Sequence, residues 1–296
     1  MATEHVDSLH QISIYCKLQP HIRSKKQLDE FYSRFDPNSG NTAESRKCER
    51  CKIDYTLRMD SNGVPEPLDK FNLCEFHTSS VSFNKFPDEY YYACCNGYTY
   101  IGRKIKPCKT HNYHVSENPA FFKNGIVSSA SISGSNKVVY ALDCEMCATV
   151  NGYECCQVTL LDEAGKVVYE SLVKPEGFIL DYETELSGIT KETMENGPCK
   201  SLKEVQNDLL KFIKEDTILM GYGINDELTS LKLHHDKLIN SVIFETRQRH
   251  RCISSVRELA KNIFVLESLR EEMRREKKEE ASCTCVSWRN FKTIFD

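Results

Sequence analysis

Two kinds of residue in this chain are spaced to hold metal ions. The first is cysteine with histidine: Cys48-x-x-Cys51, Cys74-x-x-His77, the adjacent Cys94-Cys95, then Cys108 and His114. Two intervening residues let a tight turn aim both ligands at one tetrahedral centre, and thiolate with imidazole is a donor set that zinc prefers. These residues make two Cys3His sites, closed and structural rather than catalytic. Neighbouring residues in extended backbone point to opposite faces, so Cys94 and Cys95 are expected to serve different ions. His111, three residues from Cys108, competes with His114 as a ligand. The blander alternative is a set of buried free thiols, which cores accept readily. The second kind is carboxylate. Asp143 and Glu145 follow the apolar run Val138-Val139-Tyr140-Ala141-Leu142. Period-two alternation puts both acids on one face at a strand's C-terminal end, where open α/β sheets bind ligands. Like charges that close repel unless a cation or a proton intervenes, so the pair is read as a divalent-cation site.

Composition narrows the classes that such sites can serve. The chain has 296 residues, of which 28% are charged and 40% hydrophobic, enough to build real cores. No run of about 18 apolar residues occurs, and Met1 to His10 lacks the basic-then-apolar pattern of a signal peptide, so membrane and secreted readings are not expected. Fifteen cysteines are then expected as reduced thiols: ligands, buried apolar residues or nucleophiles. The formal net charge of -4 excludes a globally basic nucleic-acid binder and leaves local patches open. Residues 1–136 are net +2 and residues 137–296 net -6, and six of the nine histidines lie in the first part. Arg103, Lys104, Lys106 and Lys109, interleaved with Tyr98, Tyr100 and Tyr113, are residue types that contact a phosphate backbone and stack bases; the blander reading is a solvated basic loop.

The elements that must position these residues fall into four stretches. Residues 1–45 hold a helix around Ser24 to Phe35, with Leu28, Phe31, Tyr32 and Phe35 at helical spacing and no evident chemistry. Residues 46–115 form the Cys/His module, and 116–136, rich in serine, read as a linker. From 137 to 296 the signals are α/β. Three apolar runs, 138–142, 157–161 and 167–169, predict a meander. A helix over 201–213 follows, with Leu202, Val205, Leu209, Phe212 and Ile213 on one face, then a strand over 217–221 and a helix from Asp226 to Leu233. The order βββαβα predicts a mixed sheet with helices packed on it.

The chain resembles the DEDDh 3′-5′ exonucleases, and within them the RNA exonuclease 1 homologue group that includes the GOR-antigen-like proteins. The resemblance rests on Tyr140-Ala141-Leu142-Asp143-Cys144-Glu145-Met146, on Leu172-Val173-Lys174-Pro175, on Leu186-Ser187-Gly188-Ile189-Thr190 and on Gly221 through Leu231. Upstream, the cysteine pattern ending at Cys108 to His114-Val115 is similar to the segment that precedes the nuclease domain in this group. About 48–290 is covered. The resemblance implies a ribonuclease-H-like fold in which four acids bind two Mg2+ or Mn2+ ions, a histidine deprotonates the attacking water, and the 3′-terminal nucleotide of RNA is released. It implies substrate contacts from Met146, Ser187, Gly188 and Thr190, and a nuclear location.

Asp143 and Glu145 match the family's first motif. In the second motif, Gly-His-x-Leu-x-x-Asp-Leu-x-x-Leu, alignment on Gly221, Leu228 and Leu231 puts Glu227 where Asp belongs. Asp226 stands one position off, which on a helix turns a side chain by about 100°. In the third motif, Glu279-Glu280-Ala281 is the nearest match, with Glu280 replacing Asp. Arg275 stands where the histidine base belongs, and no histidine follows His250. Asn240 replaces an Asp common after the second motif. Two functions are therefore carried forward. One is a 3′-5′ exoribonuclease whose metals are held by Asp143, Glu145, Glu227 and Glu280. The other is a pseudo-exonuclease that binds RNA or protein partners without cleavage. A zinc-dependent hydrolase is not expected, because the Cys/His sites lack an open coordination position.

Overall fold

The computed structural model describes residues 15–33 and 46–240, apart from Lys17, Ser80, 85–88, Ala93, Asn96, 101–105, 132–136 and Tyr222. Glu280, Arg275, Cys252, Cys283 and Cys285 lie outside the described residues, as do Arg103, Lys104 and the end of the first expected helix.

A short helical turn that ends at Gln19–His21 opens the described chain and leads into helix α1 (Lys25–Ser33). The module that follows is built from short antiparallel pieces. Strand β1 (Arg46–Lys47) pairs with β2 (Asp54–Tyr55), and β3 (Cys74–Phe76), β4 (Val81–Asn84), β5 (Glu89–Tyr92), β6 (Gly97–Tyr100) and β7 (Lys109–His111) follow. Strand β3 pairs with β7, while β4, β5 and β6 form a meander. Among the described residues, the apolar cluster of this module is small, centred on Cys48, Cys74 and Phe76.

The segment expected as a linker carries helix α2 (Pro119–Lys123) and strand β8 (Val127–Ser128). The α/β domain then begins with β9 (Val139–Thr149), β10 (Gly152–Leu161) and β11 (Val167–Lys174), the expected meander. The first strand runs seven residues beyond Leu142 before the chain turns at Val150 and Asn151 into a tight hairpin. There follow β12 (Ile179–Asp181), α3 (Thr184–Ser187), α4 (Lys191–Asn196), β13 (Lys200–Ser201) and α5 (Leu202–Phe212), then β14 (Ile218–Gly221), α6 (Ile224–Ser230), β15 (Leu233–His234) and β16 (Leu238–Asn240). The sheet runs β13-β11-β10-β9-β14-β16, with β12 also on β9. The β9, β10 and β11 pairings are antiparallel and β14 is parallel to both β9 and β16, so the sheet is mixed, as expected.

Helix α5 starts where Ser201 and Glu204 form a capping box: the Ser201 hydroxyl accepts from the Glu204 amide, and the Glu204 carboxylate accepts from the Ser201 amide. Its buried Leu202, Val205 and Leu209 pack with Leu142, Val158 and Leu160 of the sheet and with Ile224 and Leu228 of α6. Helix α6 ends earlier than the sequence suggests. Lys232 has a φ of 49°, which a continuing helix cannot use, and Leu233 leaves to pair with Val127 on β8. The other sheet face packs Val139, Ala141, Ile218, Met220 and Ile239 beneath Tyr15 and Leu18. Leu28 of α1 joins the α5–α6 side, so the N-terminal helix is part of the core of the α/β domain. Its apolar residues signalled the helix without showing what they cover.

Candidate functional site

The two acids of β9 sit where that strand loses its β14 neighbour. Pairing between them ends at Ala141 and Met220, and Asp143 and Glu145 come next, paired only toward Thr159 and Gln157 of β10. They share a face with Val139 and Ala141 on one side and Cys147 on the other. The first two belong to the core under Tyr15; Cys147 packs with Cys156 and Ile189. The acids thus fill a break between two apolar clusters, at the C-terminal end of β14. The sequence suggested that they terminate a strand, whereas they lie in the middle of one. What gives out at that point is the neighbouring strand.

Glu227 reaches the same edge from α6. Gly221 ends β14 and Gly223, with φ 72°, opens the helix in the left-handed region that glycine adopts freely. A side-chain methyl on Gly221 would run into Glu227 Oε2, and would also come within 2.9 Å of the Leu142 carbonyl oxygen. The Glu227 carboxylate therefore fills the space that Gly221 leaves beside the backbone of β9. Glu227 is 4% exposed and its Oε2 has no hydrogen-bond partner, whereas Asp226 is exposed. Asn240 closes the end of the edge: its side-chain oxygen accepts from the Gly223 amide at 3.5 Å.

Burial raises all three carboxyls. It pushes Asp143 up; it pushes Glu145 to about 7, with help from the charge of Asp143; and it pushes Glu227 well above the usual range, with Asp143 and then Asp226 adding to the effect. Carboxylate oxygens are the donors that hard divalent cations take, and a buried oxygen with no partner supplies one such donor, so these residues fit Mg2+ or Mn2+. Among the described residues, the groups of three or more ligand atoms lying within 4.8 Å of one another are the two Cys/His groups. The oxygens of Asp143, Glu145 and Glu227 are spread more widely than that.

Those two groups are Cys48, Cys51, Cys74 and His114, mostly buried, and His77, Cys94, Cys95 and Cys108, on the surface. In the first, Cys48 and Cys74 Sγ are 3.6 Å apart and Cys51 Sγ is 3.3 Å from His114 Nδ1. In the second, His77 Nδ1 is 3.6 Å from Cys94 Sγ and 3.5 Å from Cys95 Sγ, and Cys94 and Cys108 Sγ are 3.5 Å apart. A tetrahedral ion with bonds of about 2.3 Å to sulfur and about 2.0 Å to nitrogen would set such edges at about 3.5–3.8 Å, so both groups fit zinc. The hydrogen bond from Cys74 pulls the Cys48 thiol down, to about 4, and pushes its own up.

Two pairings differ from those the spacing suggests. Cys48 and Cys51 span a turn and share a group, but Cys74 and His77 do not. Cys74 begins strand β3, and three residues of extended chain carry His77 to the opposite side. Cys94 and Cys95 share one group, because they lie in the β5–β6 turn and not in extended backbone. His114 joins the first group. His111 instead accepts from the Tyr113 amide and faces Asp181.

The remaining expected contacts lie on the segment after β12. The Ser187 hydroxyl donates to the Tyr182 carbonyl and accepts from the Ile189 amide, Gly188 ends α3 at φ 70°, and the Thr190 hydroxyl accepts from the Thr193 amide to cap α4. Met146 packs on the α5–α6 core. Sequence reasoning gave no signal for Arg50, buried between this segment and the first Cys/His group.

The mixed sheet, its leading three-stranded meander and the acids on β9 and α6 define an α/β domain with a carboxylate cluster at the sheet's edge. Residues 141–281 match the exonuclease family RNase_T. Exonuclease GOR of Pan troglodytes is 27% identical over 253 residues, covering 79% of this chain and 35% of that protein. RNA exonuclease 1 of Saccharomyces cerevisiae is 35% identical over 133 residues, 45% of this chain and 24% of that one. RNA exonuclease 1 homolog of Homo sapiens is 27% identical over 262 residues, 82% of this chain and 21% of that protein. The matches thus span about a third or less of these relatives' lengths. The Pan2 catalytic unit of Neurospora crassa overlaps with a TM-score of 0.41 at 14% identity, covering 58% of this chain and 34% of that one. Residues 141–281 thus carry an exonuclease-family domain, and the chain is similar to the RNA exonuclease 1 and GOR-like proteins.

Proposed function

We propose that the protein binds single-stranded RNA 3′ ends at a two-metal carboxylate site and removes the terminal nucleotide slowly. The observation that carries this reading is Glu227: a buried carboxylate with an unpartnered oxygen, raised by its own burial and by Asp143. Burying a carboxylate without a partner costs several kcal/mol, and a cation removes that cost. Asp143, Glu145 and Glu227, with Glu280 as the fourth acid, would hold two Mg2+ or Mn2+ ions. Bound there, such ions supply Lewis-acid stabilisation of the phosphate and lower the pKa of the attacking water.

The chain's own residues set the protonation and the access. Asp143 lowers the acidity of Glu145, and Gly221 leaves room for Glu227. With Arg275 at the position of the histidine base, turnover should fall about 10²–10⁴-fold below that of a complete site. RNA as substrate is supported by the similarity to RNA exonuclease 1 and its human homolog. The two Cys/His groups are read as structural zinc sites, and a nuclear location is carried by the resemblance alone. The missing histidine also favours a second reading, an RNA- or protein-binding scaffold without cleavage.

The test is a 5′-labelled single-stranded RNA incubated with the purified protein and Mg2+ or Mn2+. Stepwise shortening from the 3′ end, absent with Asp143→Ala, supports the exonuclease. RNA that binds and stays intact supports the scaffold.

A further inference from the structure

Arg50 lies inside the Cys48-x-x-Cys51 turn, so its backbone is held by two members of the first Cys/His group. Its side chain is only 2% exposed and leaves that group entirely. Nη2 donates to Asp181 Oδ2 at 2.7 Å and to Glu183 Oε1 at 2.6 Å, Nε donates to the Tyr153 hydroxyl at 3.3 Å, and the guanidinium lies 4.9 Å over the Phe76 ring. Both acids belong to the segment that flanks the nuclease site. Asp181 ends β12, where it pairs with Ala148 of β9, three residues past Glu145. Glu183 precedes α3 with φ 51°, a left-handed conformation that costs a non-glycine residue energy and needs fixing from outside. The Asp181 carboxylate also accepts from the Glu183 amide, and the Glu183 carbonyl accepts from the amides of Leu186 and Ser187. Ile189, at the end of the same segment, packs on Cys147 beside the acids.

We infer that Arg50 is a positioning residue that couples the first Cys/His group to the 181–190 segment: with the turn held by metal, Arg50 fixes Asp181 and Glu183, and they fix Ser187, Gly188 and Thr190 against the carboxylate site. Nη2 serves both acids while Nε reaches the Tyr153 hydroxyl, a spread of donors over two nitrogens that a single lysine ammonium cannot reproduce. The part concerning substrate rests on the exonuclease reading; the part concerning the segment's order does not.

The experiment uses the full chain loaded with Zn2+ and compares the native protein with Arg50→Ala and Arg50→Lys. Amide hydrogen exchange of residues 179–190 is followed, with 218–221 of β14 as an internal reference. Loss of charged hydrogen bonds should speed exchange in 179–190 on the order of tenfold in Arg50→Ala and less in Arg50→Lys, with 218–221 unchanged. Stripping Zn2+ from the native protein with a chelator should reproduce that pattern, and should add little in Arg50→Ala. On RNA, KM should rise in Arg50→Ala with kcat within about twofold. Unchanged protection of 179–190, exchange rising equally in 218–221, or chelation loosening 179–190 as much in Arg50→Ala as in the native chain would each overturn the coupling. If Arg50→Ala does not fold, unchanged protection in Arg50→Lys overturns it. A protein that cleaves no RNA contradicts the exonuclease reading and leaves the exchange result to decide the coupling.

Discussion

The carboxylate of Glu227 occupies the space over Gly221 that any other residue would fill with a β-carbon. The last residue of β14 and the acid on the next helix are thus fitted to each other, and the fit brings the carboxylate toward Asp143. Gly221→Ala tests it. The added methyl meets the Leu142 carbonyl at 2.9 Å and Ile224 Cδ1 at 3.0 Å as well as Glu227, so the helix must shift. A loss of about 1–3 kcal/mol is expected in urea denaturation, together with loss of stabilisation by Mg2+.

Glu227→Gln separates charge from shape. The amide cannot ionise, so it removes the cost of burying this carboxyl beside Asp143, and the metal-free protein should gain about 1–3 kcal/mol while Mg2+ ceases to raise its melting temperature. The pH dependence follows from Glu145, whose carboxyl is raised to about 7. Between about pH 4.5 and 7 the folded metal-free state binds more protons than the unfolded chain, so this group's contribution falls as pH rises through that window. Added Mg2+ should therefore stabilise the native protein more at pH 8 than at pH 5. An equal shift at both would contradict the assignment.

His235 acts in the opposite direction. It is 1% exposed, and its Nδ1 lies 2.6 Å from the Ser129 hydroxyl and its Nε2 2.7 Å from the Thr217 carbonyl, whose pull toward the charged ring is outweighed by burial. Burial lowers its pKa to about 4. The unfolded chain then binds the extra proton between about pH 6.5 and 4, so stability is lost as pH falls through that range, by on the order of 3 kcal/mol. His235→Gln should flatten the change in urea midpoint between pH 7 and pH 4.5.

Tyr32 anchors the N-terminal helix. Its hydroxyl donates to the His235 carbonyl at 3.0 Å and accepts from the His235 amide at 3.1 Å, and its ring stacks on His234 with centroids 4.1 Å apart. Tyr32→Phe keeps the ring and strands both backbone groups, for an expected cost of about 1–3 kcal/mol in thermal or urea unfolding. A neutral substitution would mean that the helix docks through Leu28 and Phe31 alone.

How far the sequence could be read depends on how local each signal is. Asp143 and Glu145 were legible because strand alternation is a property of adjacent residues, and the Ser201 capping box and the apolar stripe of α5 are equally local. Cys48 and Cys51 were legible as a pair because a turn joins them. Cys74 and His77 carry the same spacing in a strand, which separates them, and nothing in the spacing distinguishes the two cases. Tyr15 and Leu18 fall outside every element read from the sequence, yet they cover the face of Val139 and Met220 over 100 residues away. Arg50 has partners more than 100 positions distant, and no window of sequence contains such an interaction.

Mn2+ binding to the zinc-loaded full chain at pH 7.5, counted by electron paramagnetic resonance, tests the carboxylate site most directly. The native protein should bind Mn2+, and Asp143→Asn should lose that binding while keeping its fold and its zinc. A native protein that leaves Mn2+ free in solution, or an Asp143→Asn variant that binds it as well as the native chain does, would contradict the assignment.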